Sequence, residues 1–224
     1  MKGYIFDFNG TLFWDSAYHE KAWQKIALQI RGNELSAEET RQHLHGRTNP
    51  AIIEYLFGHT VDPAEIVSIS EQKENIYRHI CLSLETGFHL AEGVPELLDI
   101  LKEKQVPMTI ATSSERENLD FYIRHFQLPR WFDLDKIVYH NGSFAGKPAP
   151  DIYQIAAKNL GLLPSECTVL EDSFSGIRSA VAAGIGRIVY VNPTHHPLEP
   201  ELEDQVLLII NDFSEISIGQ IVNR

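Results

Sequence analysis

The chain has 224 residues, a formal net charge of −12 and 43% hydrophobic residues. That length accommodates one large α/β domain, or one such domain carrying a smaller insert, and no stretch approaches the roughly 20 apolar residues that span a bilayer. An acidic chain without a basic stripe excludes a polynucleotide backbone as ligand; a small phosphorylated metabolite, which needs only a few local cations and a metal, remains open.

In chain order, the opening MKGYIFDFNG is too briefly apolar for a secretory leader and reads as a strand, Tyr4–Phe8. Two cysteines, Cys81 and Cys167, define no disulfide framework, so reduced thiols and a cytoplasmic setting are expected. Residues 15–88 follow as a block of helix-like segments: Ser16–Ile30, Ser36–His43, Pro50–Phe57 and Pro63–Leu84. Ser36 and Glu39 have capping-box spacing. Beyond them come short runs rich in β-branched residues, at Met108–Thr112, Thr168–Leu170 and Arg187–Val191, with weaker ones at Lys136–Tyr139 and Val206–Ile210. Helical patterns at Ala149–Leu160 and Ser175–Ala183 alternate with them. Such alternation predicts an α/β fold, a parallel sheet covered on both faces, with ligands at the carboxyl ends of its strands. The expected organisation is a core of residues 1–14 and 89–224 with a helical cap, 15–88, inserted into it.

The chemistry should therefore sit just after each strand, and it does so in sequence. Asp7 closes the first run and is followed by Phe8-Asn9-Gly10-Thr11, a turn that can hold a carboxylate rigidly. A carboxylate attacks phosphorus only when a divalent metal and a fixed cation offset the repulsion between two anions. Glu171-Asp172 supplies paired hard oxygens suited to Mg²⁺, and Lys147, in Gly146-Lys147-Pro148-Ala149-Pro150-Asp151, supplies the cation. Thr112 ends its run with a hydroxyl, and the amides of Ser113 and Ser114 are expected to open a helix, an anion site. Each has a plainer reading alone: Asp7 as a turn former, Thr112 as a helix cap, Glu171-Asp172 as a capping loop, Lys147 as a surface charge. Four strand ends in this order, each presenting one required group, argue for the joint reading.

The series Asp7-x-Asn9-Gly10-Thr11, Thr112, Gly146-Lys147-Pro148 and Glu171-Asp172-Ser173 resembles the signature motifs of the haloacid dehalogenase (HAD) superfamily along the whole chain. GKPAPDIY and LEDSFSGIRSA resemble the branch containing β-phosphoglucomutase and small sugar-phosphate phosphatases, which has a Rossmann-like core and a helical cap. The resemblance implies Asp7 as nucleophile, and Mg²⁺ held by the Asp7 carboxylate, the Asn9 backbone carbonyl and Asp172, with Glu171 acting directly or through water. It also implies Thr112 and Lys147 as ligands of the transferring phosphoryl group. The implied reaction is phosphomonoester hydrolysis of a small metabolite, a sugar phosphate, through an aspartyl-phosphate.

One position departs from that pattern. The branch usually carries Asp two residues after the nucleophile, where it exchanges a proton with the leaving oxygen; here Asn9 stands there. Loss of such a group costs about 10²–10⁴ in rate. Three readings follow: a slow phosphatase or one using a good leaving group, a proton supplied by His19 from the cap, or a silent binder of phosphometabolites. Dehalogenation and phosphonate hydrolysis rank lower, because Glu171-Asp172 is a metal-type pair and only Lys21 or Lys73 offers a Schiff-base lysine.

In the cap, Asp15-Ser16-Ala17-Tyr18-His19 and Ala22-Trp23 resemble the start of the β-phosphoglucomutase cap. His45-Gly46-Arg47-Thr48 resembles its specificity loop, so Gly46 and Arg47 are substrate-binding candidates beside His19 and Lys73. Asn49 occupies the place of the mutase's phosphate-binding Arg, which ranks phosphoglucomutase-like transfer below hydrolysis. His43-x-His45 and His195-His196 lack a third ligand and read as ordinary side chains. Nothing in the sequence specifies an oligomeric state.

Overall fold

In a computed structural model, residues 2–44 and 47–216 are described. Three apolar runs, Gly3–Phe6 (β1), Met108–Thr112 (β2) and Cys167–Glu171 (β4), are buried at every residue, as strands covered on both faces must be. Val138–Tyr139 (β3), Arg187–Val191 (β5) and Leu208–Ile210 (β6) complete a six-stranded parallel sheet of order β3-β2-β1-β4-β5-β6. Tyr4 registers with Met108 on one side and Thr168 on the other, so β1 is central. The chain runs outward from β1 in both directions, through β2 and β3 and through β4 to β6. The crevice beyond its carboxyl end is therefore the topological switch point, where open α/β sheets bind ligands.

Eight α-helices accompany the sheet among the described residues: Ser16–Arg31 (α1), Ala37–His43 (α2), Asn49–Phe57 (α3), Pro63–Leu82 (α4), Val94–Glu103 (α5), Arg116–Phe126 (α6), Asp151–Leu160 (α7) and Phe174–Ala182 (α8). Buried positions on α5 (Val94, Leu97, Leu98, Leu101) follow the 3.6-residue period of a helix with one apolar face. Ile152, Tyr153, Ala156 and Ala157 of α7 do the same, and with Ile5, Val169 and Ile177 they belong to one hydrophobic core.

By contacts the chain divides into two units, Met1–Trp14 with His89–Arg224, and Asp15–Phe88. The second, made of α1 to α4, has its own core of Trp23, Ile26, Ile52, Ile53 and Leu56. Its α2 opens on the anticipated capping box: Ser36 Oγ accepts the Glu39 N–H, and the Glu39 carboxylate accepts the Ser36 N–H. Arg31 and Tyr55 also donate to Glu39. No helix among the described residues is long and apolar enough to cross a membrane.

Three strands stop or start short of their apolar runs, β6 among them, which begins at Leu208 rather than Val206. β1 stops at Phe6 because Phe8 to Phe13 fold into a tight turn, with Phe13 N–H donating to Phe8 O and Gly10 N–H to Phe13 O. Leu134–Lys136 forms a 3₁₀ turn that leaves only Val138–Tyr139 for β3.

Candidate active site

Asp7 stands one residue beyond β1, its N–H donating to Leu170 O at 3.0 Å, so the backbone that carries it is still tied to β4. Asp7 is 6% exposed. Lys147 reaches it from the loop before α7, with Nζ 2.5 Å from Asp7 Oδ1, and the same ammonium bonds Glu171 Oε1. Burial alone would lower the Lys147 pKa, but the charges of Asp7 and Glu171 overrule it and hold the group well above its usual range. The Lys147–Pro148 peptide is cis.

Glu171, the last residue of β4, is fully buried with both oxygens engaged. Oε1 accepts from Lys147 and from the Tyr153 hydroxyl at 2.9 Å, while Oε2 accepts the Ser173 N–H at 2.8 Å and its hydroxyl at 3.0 Å. The first turn of α8 lies against this carboxylate at Gly176, where a Cβ would fall 1.7 Å from Glu171 Oε1. Asp172 accepts the Thr11 hydroxyl at 3.2 Å. Gly10, at φ +76°, passes so close that a Cβ would fall 2.0 Å from Asp172 Oδ2. Two glycines thus let backbone close on two adjacent carboxylates. Asp7, Glu171 and Asp172 offer oxygen atoms within 4.8 Å of one another, a hard-oxygen set that fits a divalent cation such as Mg²⁺.

A second set of polar groups links the ends of β1 and β2. Asn9 Nδ2 donates to the Tyr122 hydroxyl at 2.8 Å, and Asn9 Oδ1 accepts from the Ser114 hydroxyl at 2.7 Å. Thr112 Oγ1 lies 3.4 Å from the same Oδ1 and accepts the Ser114 N–H at 3.1 Å. That last bond corrects the expected helix start. The Ser114 amide turns onto the Thr112 side chain, a local bond that competes with helix, and α6 begins only at Arg116 with Glu115 as its cap. Ser113 is exposed and Ser114 half-buried, both ahead of the helix.

The helical unit holds its own buried cluster. Lys73 is 3% exposed, with Nζ 2.7 Å from His19 Nδ1 and 2.8 Å from Glu74 Oε1. His19 Nε2 lies 3.3 Å from Asp15 Oδ2, and its ring stacks on Tyr77 at 3.8 Å. Tyr77 in turn donates to Asp15, and the Trp23 ring lies 5.4 Å from the Lys73 ammonium. Arg47 is exposed just ahead of α3, and Gly46, like His45, lies outside the described residues. His43 stacks on Tyr55, while Asn192 brackets His196 through both its N–H and its carbonyl.

The structure therefore joins Asp7, Lys147, Glu171 and Asp172, sets Asn9, Thr112 and Ser114 in one network, and pairs His19 with Lys73. Sequence reasoning gave no role of their own to Tyr122, Tyr153 and Thr11, nor in the helical unit to Asp15 and Tyr77, although Thr11 and Asp15 stand in the motifs quoted above. For Tyr153 a signal existed: it is the polar-tipped member of the apolar face of α7, and a buried tyrosine hydroxyl calls for a partner.

A family model described as haloacid dehalogenase-like hydrolase matches residues 1–184. The chain belongs to this family. A crystal structure of a HAD hydrolase, family IA, variant 3, from Entamoeba histolytica HM-1:IMSS is 38% identical to this HAD-like hydrolase, with a TM-score of 0.92, covering 98% of this chain and 97% of that one. Protein CbbY of Rhodobacter capsulatus is 33% identical over 190 residues, 83% of each chain. Hexitol phosphatase A of Escherichia coli (strain K12) is 28% identical over 219 residues, 97% of this chain and 94% of the relative.

Proposed function

We propose that this HAD-like hydrolase is a Mg²⁺-dependent phosphatase of small phosphorylated metabolites, sugar phosphates foremost, with Asp7 as nucleophile. The observation that carries the reading is the buried Lys147 ammonium held between Asp7 and Glu171, with Asp172 within metal-sharing distance. A buried cation flanked by carboxylates at the switch point of a parallel sheet is what a site needs to admit a phosphate dianion beside an attacking carboxylate. The similarity to a hexitol phosphatase supports the substrate class.

Asp7, Asp172 and the backbone carbonyl of Asn9 are the residues that would hold Mg²⁺, which supplies charge neutralisation for the phosphoryl oxygens. Glu171, its oxygens already carrying Lys147, Tyr153 and Ser173, is better suited to orienting Lys147 than to binding the ion. In the first step an Asp7 oxygen forms a bond to phosphorus while the bond to the ester oxygen breaks, and the leaving oxygen takes the electron pair. The leaving alkoxide takes a proton from solvent; in the second step water attacks phosphorus and gives up a proton to solvent, while the bond from Asp7 to phosphorus breaks and its electron pair returns to the Asp7 carboxylate. Lys147 offsets the accumulating charge, and the Thr112 and Ser114 hydroxyls, which donate to Asn9 Oδ1, would turn from it to donate to the phosphoryl oxygens. Asn9 cannot carry a proton in either step, so turnover is slow or favours substrates with good leaving groups. In the helical unit we assign substrate selection to His19, Lys73 and Arg47.

The test is a panel of sugar phosphates and p-nitrophenyl phosphate assayed with Mg²⁺ on wild type, Asp7→Asn and Asn9→Asp. Wild type should release phosphate, Asp7→Asn should fall by more than about 10⁴-fold, and EDTA should stop the reaction. Asn9→Asp should raise hydrolysis of alkyl phosphates by at least about tenfold and of the nitrophenyl ester by less. Phosphate release that survives in Asp7→Asn, or proceeds at full rate in EDTA, removes the reading.

A second reading, phosphometabolite binding without turnover, draws on the same Asn9 amide. Saturable binding of a sugar phosphate with no phosphate release above a no-enzyme control would select it.

A further inference from the structure

Both lone-pair positions on each Glu171 oxygen are taken. Oε2 accepts the N–H and the hydroxyl of Ser173, and Oε1 accepts from the Lys147 ammonium and the Tyr153 hydroxyl. The two donors on Oε1 are unlike. Lys147 ends a flexible four-carbon stem, and its ammonium also bonds Asp7 Oδ1. Tyr153 is a stiff aromatic, fully buried on α7, in the same core as Ile152, Ala156 and Ile177. Its ring lies 5.2 Å from the Lys147 ammonium, so this one side chain meets both members of the ion pair. Without its hydroxyl, Oε1 would keep one acceptor position open in a dry setting, which is costly. The movable donor beside that position is the Lys147 ammonium, and turning toward it draws the cation off Asp7.

We propose that Tyr153 is a positioning residue for phosphate binding: by filling Glu171 Oε1 it keeps the Lys147 ammonium beside Asp7, where the phosphoryl group must lie. This rests on the assignment of the site to phosphate chemistry and deepens it, because it names what holds the cation in place. Asp7 and Glu171 take two of the three ammonium protons, which leaves one for a phosphoryl oxygen. The cation is needed wherever the phosphoryl group is bound, so its displacement weakens ground state and transition state alike.

Tyr153→Phe isolates the effect, since the ring and its place over Lys147 are kept and only the hydroxyl is lost. With Mg²⁺ present, inorganic phosphate binding is measured by titration calorimetry on wild type, Tyr153→Phe, Lys147→Met and the double variant. Hydrolysis of p-nitrophenyl phosphate is followed on the first two. Tyr153→Phe should bind phosphate about fivefold more weakly, the effect of about one hydrogen bond, with KM rising by a similar factor and kcat falling less. Because Tyr153 acts through Lys147, adding Tyr153→Phe to Lys147→Met should weaken binding no further. A crystal structure of Tyr153→Phe gives a readout that needs no Lys147 variant to fold: Lys147 Nζ should stand farther from Asp7 and toward the vacated position. Unchanged phosphate binding in Tyr153→Phe, an equal loss with and without Lys147, or an ammonium that keeps its place beside Asp7 would overturn the proposal. A role in packing alone would lower thermal stability and leave phosphate affinity and the Lys147 position as they are. None of these touches the phosphatase reading, which fails separately if wild type binds phosphate but hydrolyses neither the nitrophenyl ester nor any sugar phosphate.

Discussion

At the scale of single residues, the site is organised by one buried positive charge. Lys147 is 6% exposed in its side chain and faces two carboxylates that are themselves buried. Removing a partner from such an arrangement leaves uncompensated charge in a dry environment, which costs about 3–5 kcal/mol. Lys147→Ala should therefore lose stability on that scale, read by urea denaturation, as well as activity; a variant as stable as wild type would contradict the geometry. The pH dependence follows from the sign of the shift. The Lys147 pKa is raised in the folded protein, so its stabilising contribution is complete below the unfolded lysine value of about 10.4 and fades only as pH rises above it. Activity should accordingly show no alkaline limb from this group between pH 7 and about 10. Asp7 and Glu171-Asp172 were legible in the sequence because each follows an apolar run, and strand ends are where a parallel sheet presents chemistry; Lys147 stood out by its Gly-Lys-Pro setting ahead of a helix. Tyr122 and Tyr153 were not, because a tyrosine on the apolar face of a helix looks like packing until the partner of its hydroxyl is known.

At the scale of elements, the helices of the inserted block were readable from period and caps, and Ser36 with Glu39 forms the box their spacing suggests. Less legible were boundaries set by local side-chain bonds, such as the delayed start of α6. Thr112 captures the Ser114 amide there, a competition that propensity does not register. The α2 cap yields its own prediction. Glu39 is pulled down to about 2, first by the Ser36 N–H, then by Tyr55 and Arg31. Its folded pKa lies below the unfolded value, so its contribution is present above the ordinary glutamate range of about 4.3 and disappears as pH falls through about 2. Glu39→Gln should thus melt lower than wild type at pH 6, with the difference closing by pH 2. A difference that does not depend on pH would mean that Glu39 acts through packing alone.

At the scale of the whole molecule, the two units have separate cores and each contains one free, buried cysteine: Cys81 in the helical unit and Cys167 in the α/β unit. Burial pushes the Cys81 thiol up to about 12 and Cys167 up to about 11, so neither reacts readily in the folded state. Ile53 is fully buried in the helical core, and Ile53→Ala should cost about 2–5 kcal/mol. In that variant Cys81 should label with iodoacetamide well before Cys167. Labelling of both thiols at one rate would mean that the units unfold together. The parallel sheet and its switch point were implied by strand–helix alternation, and they place Asp7 at the end of β1, between the strands that carry Thr112 and Glu171. An aspartyl-phosphate mechanism requires that phosphorus at some point be bonded to Asp7. Wild type mixed with Mg²⁺ and a ³²P-labelled sugar phosphate, quenched in acid and digested, should carry an acid-stable, hydroxylamine-labile phosphate on the peptide containing Asp7, and Asp7→Asn should carry none. Phosphate release at the same rate with no label on that peptide, or a label that persists in Asp7→Asn, would contradict the account.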